Sequence, residues 1–256
     1  EIPKRDWSSD VCSSDLKGRT FVFAIDHENI HPGNERKAIE AASRLLDRLA
    51  PEDRVAVVTL PRGTVEADLS TDRAAARGAF ERIIGHAPRN MSKYNISIAE
   101  AFAVASVPAG KIGASSSEGG NNFVSQMIDE MVNRECNGET TSVCGPALLQ
   151  DARQYAREME QASRDTVRGL NGLIAGLGAL EGTKALVFLS ESLVQTPDVQ
   201  REMPELGKTA DLARVRMYVV QVNAPSFDVN RRSQPADEQG DLGRRLSGLE
   251  DVAGEI

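Results

Sequence analysis

The chain has 256 residues, a formal net charge of −8 and a composition that is 40% hydrophobic and 4% aromatic. That length holds one large domain or two small ones, and the apolar fraction excludes a disordered or collagen-like chain. The acidic balance argues against a general nucleic-acid binder, which needs a basic face. No apolar run approaches the roughly 18–20 residues that span a bilayer, and three cysteines are too few for a disulfide-built scaffold.

Residues 6–16 read DWSSDVCSSDL and carry neither helical period nor strand alternation. The stretch resembles the translation of a short-read sequencing adapter, so residues 1–16 are read as a non-native artefact or tail and left out of the fold. Without them the chain keeps two cysteines, Cys136 and Cys144, and the natural start is expected to lie upstream.

From Thr20 the chain alternates. TFVFAID (20–26) is a short apolar run ending in a carboxylate, a strand buried on both faces. Residues 36–49 have helical spacing, with Pro51 beyond their end. RVAVVTL (54–60) is a second buried strand, Pro61-Arg62-Gly63 a turn, and TVEADL (64–69) a half-exposed edge strand completing a hairpin. Ser70 and Thr71 are expected to cap a helix across 72–85 with Ile84 on its apolar face.

Residues 86–145 form a less regular insert, with helices predicted at 97–106 and 123–134 around a low-complexity loop, 114–122. A helical pattern then runs from about 146 to 180, roughly 50 Å if continuous. Its glycines at 169, 172, 176 and 178 suggest close helix packing. ALVFLS (185–190) is the next strand, followed by a helix near 205–213 and a strand at 216–222. A polar loop at 224–241 and a last helix at 242–253 close the pattern, and a further strand is expected beyond it.

Strands alternating with helices, plus one hairpin, imply an α/β, Rossmann-like, doubly wound and mostly parallel sheet with one antiparallel edge strand. Ligands on such a sheet bind at the carboxyl ends of the strands, where the winding reverses. That point brings together Asp26-His27-Glu28-Asn29 and Ser190-Glu191-Ser192.

Cys136 and Cys144 bracket the polar loop NGETTSV. A disulfide closing it would imply an oxidising compartment; free thiols or half a zinc site are the alternatives, and the distance in sequence to any histidine disfavours zinc. His27 and His31 lie in the first loop, where solvent exposure is expected rather than a metal pair. No Gly-x-Ser-x-Gly elbow and no phosphate-cradling Gly-rich loop is present.

TFVFAIDHENIHPG, LLDRLAPEDRVAVVTLP, LSTDRAAARGAFERIIG, GLGALEGTKALVFLSESL and ARVRMYVVQVNAP, in this order, resemble the von Willebrand factor type A domain. The closer likeness is to its bacterial "VWFA-related" secreted group. The resemblance covers residues 17–256 and implies strand order three-two-one-four-five-six with the third strand antiparallel. It also implies a protein–protein interaction or adhesion domain of an exported bacterial protein, without catalysis, located in the periplasm or outside the cell. The partner would be an unknown protein ligand, not nucleic acid.

That family binds through a metal-ion-dependent adhesion site: an Asp-x-Ser-x-Ser loop, a Thr from a later loop and an Asp after the fourth strand. Here Asp26 fits the first position, Glu28 and Ile30 replace the serines, Tyr94-Asn95-Ile96-Ser97 covers the Thr region, and Glu191 stands for the last Asp. Two readings follow. Asp26, Glu28 and Glu191, with Ser97 or Ser190, hold Mg²⁺ or another divalent cation, which wants oxygen ligands. Alternatively the site is degenerate, Ile30 points inward and no metal binds. AIDHENI also resembles the opening of NYN-type, PIN-like metal-dependent ribonucleases, in which Asp26, Asn29 and Glu191 would gather metal to cleave RNA.

Overall fold

The computed structural model describes residues 18–87, 92–108, 122–138 and 143–222. The adapter-like stretch, the loop at 114–121 and the predicted elements after residue 223 lie outside them.

Five strands form one sheet in the order β3-β2-β1-β4-β5. They are β1 (Thr20–Ile25), β2 (Arg54–Thr59), β3 (Thr64–Ser70), β4 (Lys184–Ser190) and β5 (Val215–Gln221). β1 is central and pairs in parallel with β2 (Thr20 opposite Arg54) and with β4 (Thr20 opposite Lys184). β3 returns antiparallel to β2 through a hairpin with irregular register, as the alternation of TVEADL predicts. The fold is therefore α/β and Rossmann-like, with the antiparallel strand at the edge.

The apolar runs of β1 and β4 are explained by helices on both faces. Even-numbered Val22, Ala24, Leu186 and Phe188 pack under α6 (Pro197–Ala213) and the C-terminal half of α5 (Cys144–Leu177). Odd-numbered Phe21, Phe23, Val187 and Leu189 pack under α1 (Glu35–Leu46) and α2 (Arg73–Arg82), with Phe23 and Phe80 meeting edge to face at 5.2 Å. The period-2 pleat thus divides one strand between two cores.

Three helix boundaries differ from the sequence reading. α2 is capped by Asp72, whose carboxylate accepts from the N–H groups of Ala74 and Ala75, and not by Ser70 or Thr71. A charged oxygen at that position also meets the positive end of the helix. The helix stops at Arg82, so Ile84 is exposed instead of facing the core. α6 begins eight residues earlier than predicted: Pro197 sits in the first turn, where no N–H is needed, and Thr196 caps it. Pro204 lies inside the helix rather than before it.

The insert folds around a core of its own. α3 (Ile98–Ser106) and α4 (Asn122–Cys136) pack on the N-terminal half of α5 through Ala101, Val104, Met131, Val132, Leu148 and Ala152. The 34-residue α5 is one continuous helix, so its first half serves the insert and its second half the sheet. Gly169 explains how closely that second half approaches: a Cβ there would stand 2.4 Å from the carbonyl oxygen of Pro61. Gly172 and Gly176 face open space and do not share this role.

Cys136 and Cys144 form a disulfide that joins the end of α4 to the start of α5. The small three-helix core gains most from such a link. Replacing both cysteines by serine should lower stability in urea by about 2–3 kcal/mol, the loop-closure value for so short a ring. Non-reducing denaturing thiol titration should find neither sulfur of this pair free.

Candidate functional site at the strand rim

β1 ends by donating one more ladder bond, from the N–H of Asp26 to the carbonyl of Leu189 on β4 (2.9 Å). The chain then turns through a 3-10 helix, His27–Asn29, closed by Asn29 N–H to the carbonyl of Asp26 (3.1 Å). Ile30 is fully buried in the α1–α2 core and pins the far side of this turn. The segment after α2 runs alongside, with the His86 N–H donating to the His27 carbonyl (2.7 Å) and that of Ala87 to the Ile30 carbonyl (3.0 Å). Gly85 makes this approach feasible, because a Cβ there would lie 2.3 Å from the Ile30 oxygen.

The turn folds the Asn29 side chain back over Asp26. Asn29 Nδ2 donates to Asp26 Oδ1 and Oδ2, both at 3.0 Å, and to Thr166 Oγ1 at 2.9 Å. Thr166, on α5, donates its hydroxyl proton to Asp26 Oδ1 (3.0 Å). Ser190, the last residue of β4, donates to Asp26 Oδ2 (2.8 Å). Asp26 is wholly inaccessible to solvent, and burial pushes its carboxyl up to about 6 although the Ser190, Asn29 and Thr166 hydrogen bonds pull the other way.

Glu191 follows directly and faces the same loop. Its Oε2 accepts from the His31 backbone N–H (2.8 Å), while Oε1 meets His31 Nδ1 (3.0 Å) and accepts from Asn34 Nδ2 (3.0 Å). Burial alone would raise this carboxyl; the hydrogen bonds from His31 and Asn34 outweigh it and hold Glu191 below its ordinary value. The β1–α1 loop is thus clasped at its start by Asp26 and further along by Glu191.

Of the residues proposed as metal ligands, Asp26 and Ser190 share a hydrogen bond and Glu191 lies on the adjacent side of the loop. Glu28 is turned outward, 39% exposed at its side chain, with Arg62 at 3.6 Å and His27 at 4.0 Å. Ser97 serves as the N-cap of α3 in a capping box with Glu100, whose carboxylate is forked by Arg134 (2.8 and 3.1 Å). His27 and His31 are half-buried rather than free in solvent. The His27 ring meets that of His86 at 4.8 Å, and burial together with this neighbour lowers its pKa.

Sequence reasoning missed Thr166. Its signal was a threonine on the core-facing stripe of a helix, four residues before Leu170 and beside Val167, where an apolar residue would otherwise be expected. Ser163, one turn earlier, is also buried and accepts from the N–H of Val194, and Glu160 accepts from Thr196 Oγ1. One face of α5 therefore secures both the Asp26 cluster and the loop after β4.

The oxygens around Asp26 are of the type a hard cation takes. Their lone pairs are already engaged by the Asn29 amide, and among the described residues no group of three His, Cys, Asp or Glu side chains is placed to hold a metal ion. With Asn29 in place the donor set does not fit a resident cation. No family model and no curated protein matches the chain.

Asp26 makes a testable contribution to stability. Its pKa is higher folded than unfolded, so the native state binds more protons between about pH 4 and 6, and stability falls as pH rises through that window. The loss is on the order of 3 kcal/mol. Glu191 acts with the opposite sign, its stabilisation vanishing as pH falls. Comparison with Asp26→Asn isolates the first term. The stability difference, wild type minus variant, should decline across the window in urea titrations; a flat difference refutes the assignment.

Proposed function

We propose that this chain is a protein-binding domain of the von Willebrand type A kind, acting outside the bacterial cytoplasm. The observation that carries the reading is the use of two buried carboxylates at the rim. Asp26 and Glu191 are spent on fixing the β1–α1 loop, Asp26 through donors from the loop itself, α5 and β4. The result is a ledge held by hydrogen bonds, whose outward groups, Glu28, Arg62 and His86, are available to a partner. Preorganised loops on a fixed scaffold lose little entropy on association.

The strand order with an antiparallel edge supports the same reading, and the helical insert with its separate core is a natural place for specificity. The Cys136–Cys144 disulfide favours an oxidising compartment. None of the described helices is long and apolar enough to cross a membrane.

The test is capture of a partner from the extracytoplasmic proteins of the source bacterium, followed by cross-link mapping. Cross-links should fall on the rim loops or the insert. Glu28→Lys combined with Arg62→Glu should weaken a rim-bound complex at least tenfold while circular dichroism stays unchanged. Cleavage of single-stranded RNA with Mn²⁺, lost in Asp26→Asn, would replace this reading with the ribonuclease one.

A further inference from the structure

We propose that the Asn29 side-chain amide is a built-in substitute for a divalent cation, and that removing it opens a cation site formed by Asp26, Thr166 and Ser190. Asn29 Nδ2 stands 2.9–3.0 Å from three oxygens contributed by β1's end and α5, the position from which a single positive centre would bind them all. Ser190 brings a fourth oxygen to the same carboxylate from β4. A magnesium-sized ion would need those same lone pairs at about 2.0–2.1 Å. Amide and cation therefore exclude one another.

The amide's orientation is fixed by chemistry. With its oxygen in that place, lone pairs would confront both oxygens of a carboxylate, whereas the NH₂ group supplies donors. Asn29 is also poorly able to swing aside. It is 8% exposed, its backbone closes the 3-10 turn on Asp26, and the next residue, Ile30, is locked in the core. Burial of a polar side chain is tolerated here because the amide finds three acceptors, adding a further donor to each Asp26 oxygen beside those from Thr166 and Ser190.

The consequence is a rim that holds its shape without metal, so partner capture should survive EDTA. This goes beyond the protein-binding reading and does not depend on the partner's identity, since the decisive measurement uses Mn²⁺ alone. Wild type, Asn29→Ala and Asn29→Ser are titrated with Mn²⁺, following the free ion by electron paramagnetic resonance and the melting temperature in parallel. Wild type should leave the free-ion signal unchanged and melt at one temperature in Mn²⁺ or EDTA. Asn29→Ala should melt several degrees lower in EDTA, take up one Mn²⁺ and regain stability, and the added Asp26→Ala substitution should abolish uptake. The serine variant, which keeps a short polar group, serves if alanine prevents folding. One Mn²⁺ bound by wild type and lost in Asp26→Ala would overturn the proposal. So would variants that lose stability without gaining any response to Mn²⁺, because Asn29 would then be only a structural donor.

Discussion

A single buried charge organises the rim. Asp26 has no access to water, and a carboxylate in that position is tolerable only if its oxygens are met by donors. The donors come from parts of the chain far apart in sequence: Asn29 from the adjoining turn, Thr166 from α5 and Ser190 from β4. Each of those elements must therefore arrive in register before the charge is accommodated. The cluster couples the central strand, its neighbour and α5 through one side chain.

That coupling gives the insert a defined relation to the sheet. α3 and α4 touch the first half of α5 and share a core with it, while the second half belongs to the α/β layer. Between the two lie Glu160, Ser163 and Thr166, all turned toward the strand rim. Arg164 and Arg168, on the same stretch, pair with Glu202 of α6. Polar contacts thus concentrate where the two apolar cores end, which is where a helix crossing from one to the other most needs orientation.

The sheet was legible because its signals are strong and local. Apolar runs in TFVFAI and ALVFLS leave no alternative to strands covered on both faces, and the alternation in TVEADL marks the hairpin edge. Helix ends were less legible, since capping depends on a single side chain and Pro204 looks like a boundary although it lies within α6. At the site, the strand-end positions of Asp26, Ser190 and Glu191 could be read from the alternation alone. The role of Asn29 toward Asp26 and the arrival of Thr166 could not. The first depends on a 3-10 turn whose backbone sends the amide backward; the second on the rotation of a helix 140 residues along the chain. Ser97 was misleading for a related reason: a serine before a helix serves equally as ligand or cap, and Glu100 three residues on decides for the cap.

The near-contact between Gly169 and Pro61 gives α5 a fulcrum. From there to Cys144 the helix extends about 37 Å at 1.5 Å per residue, whereas Thr166 lies only about 4.5 Å away along the axis. A tilt of about 5° around that point would displace the Cys144 end by some 3 Å but Thr166 by roughly 0.4 Å, within the tolerance of its hydrogen bonds. The Asp26 cluster therefore sits where the exact inclination of the long helix matters least.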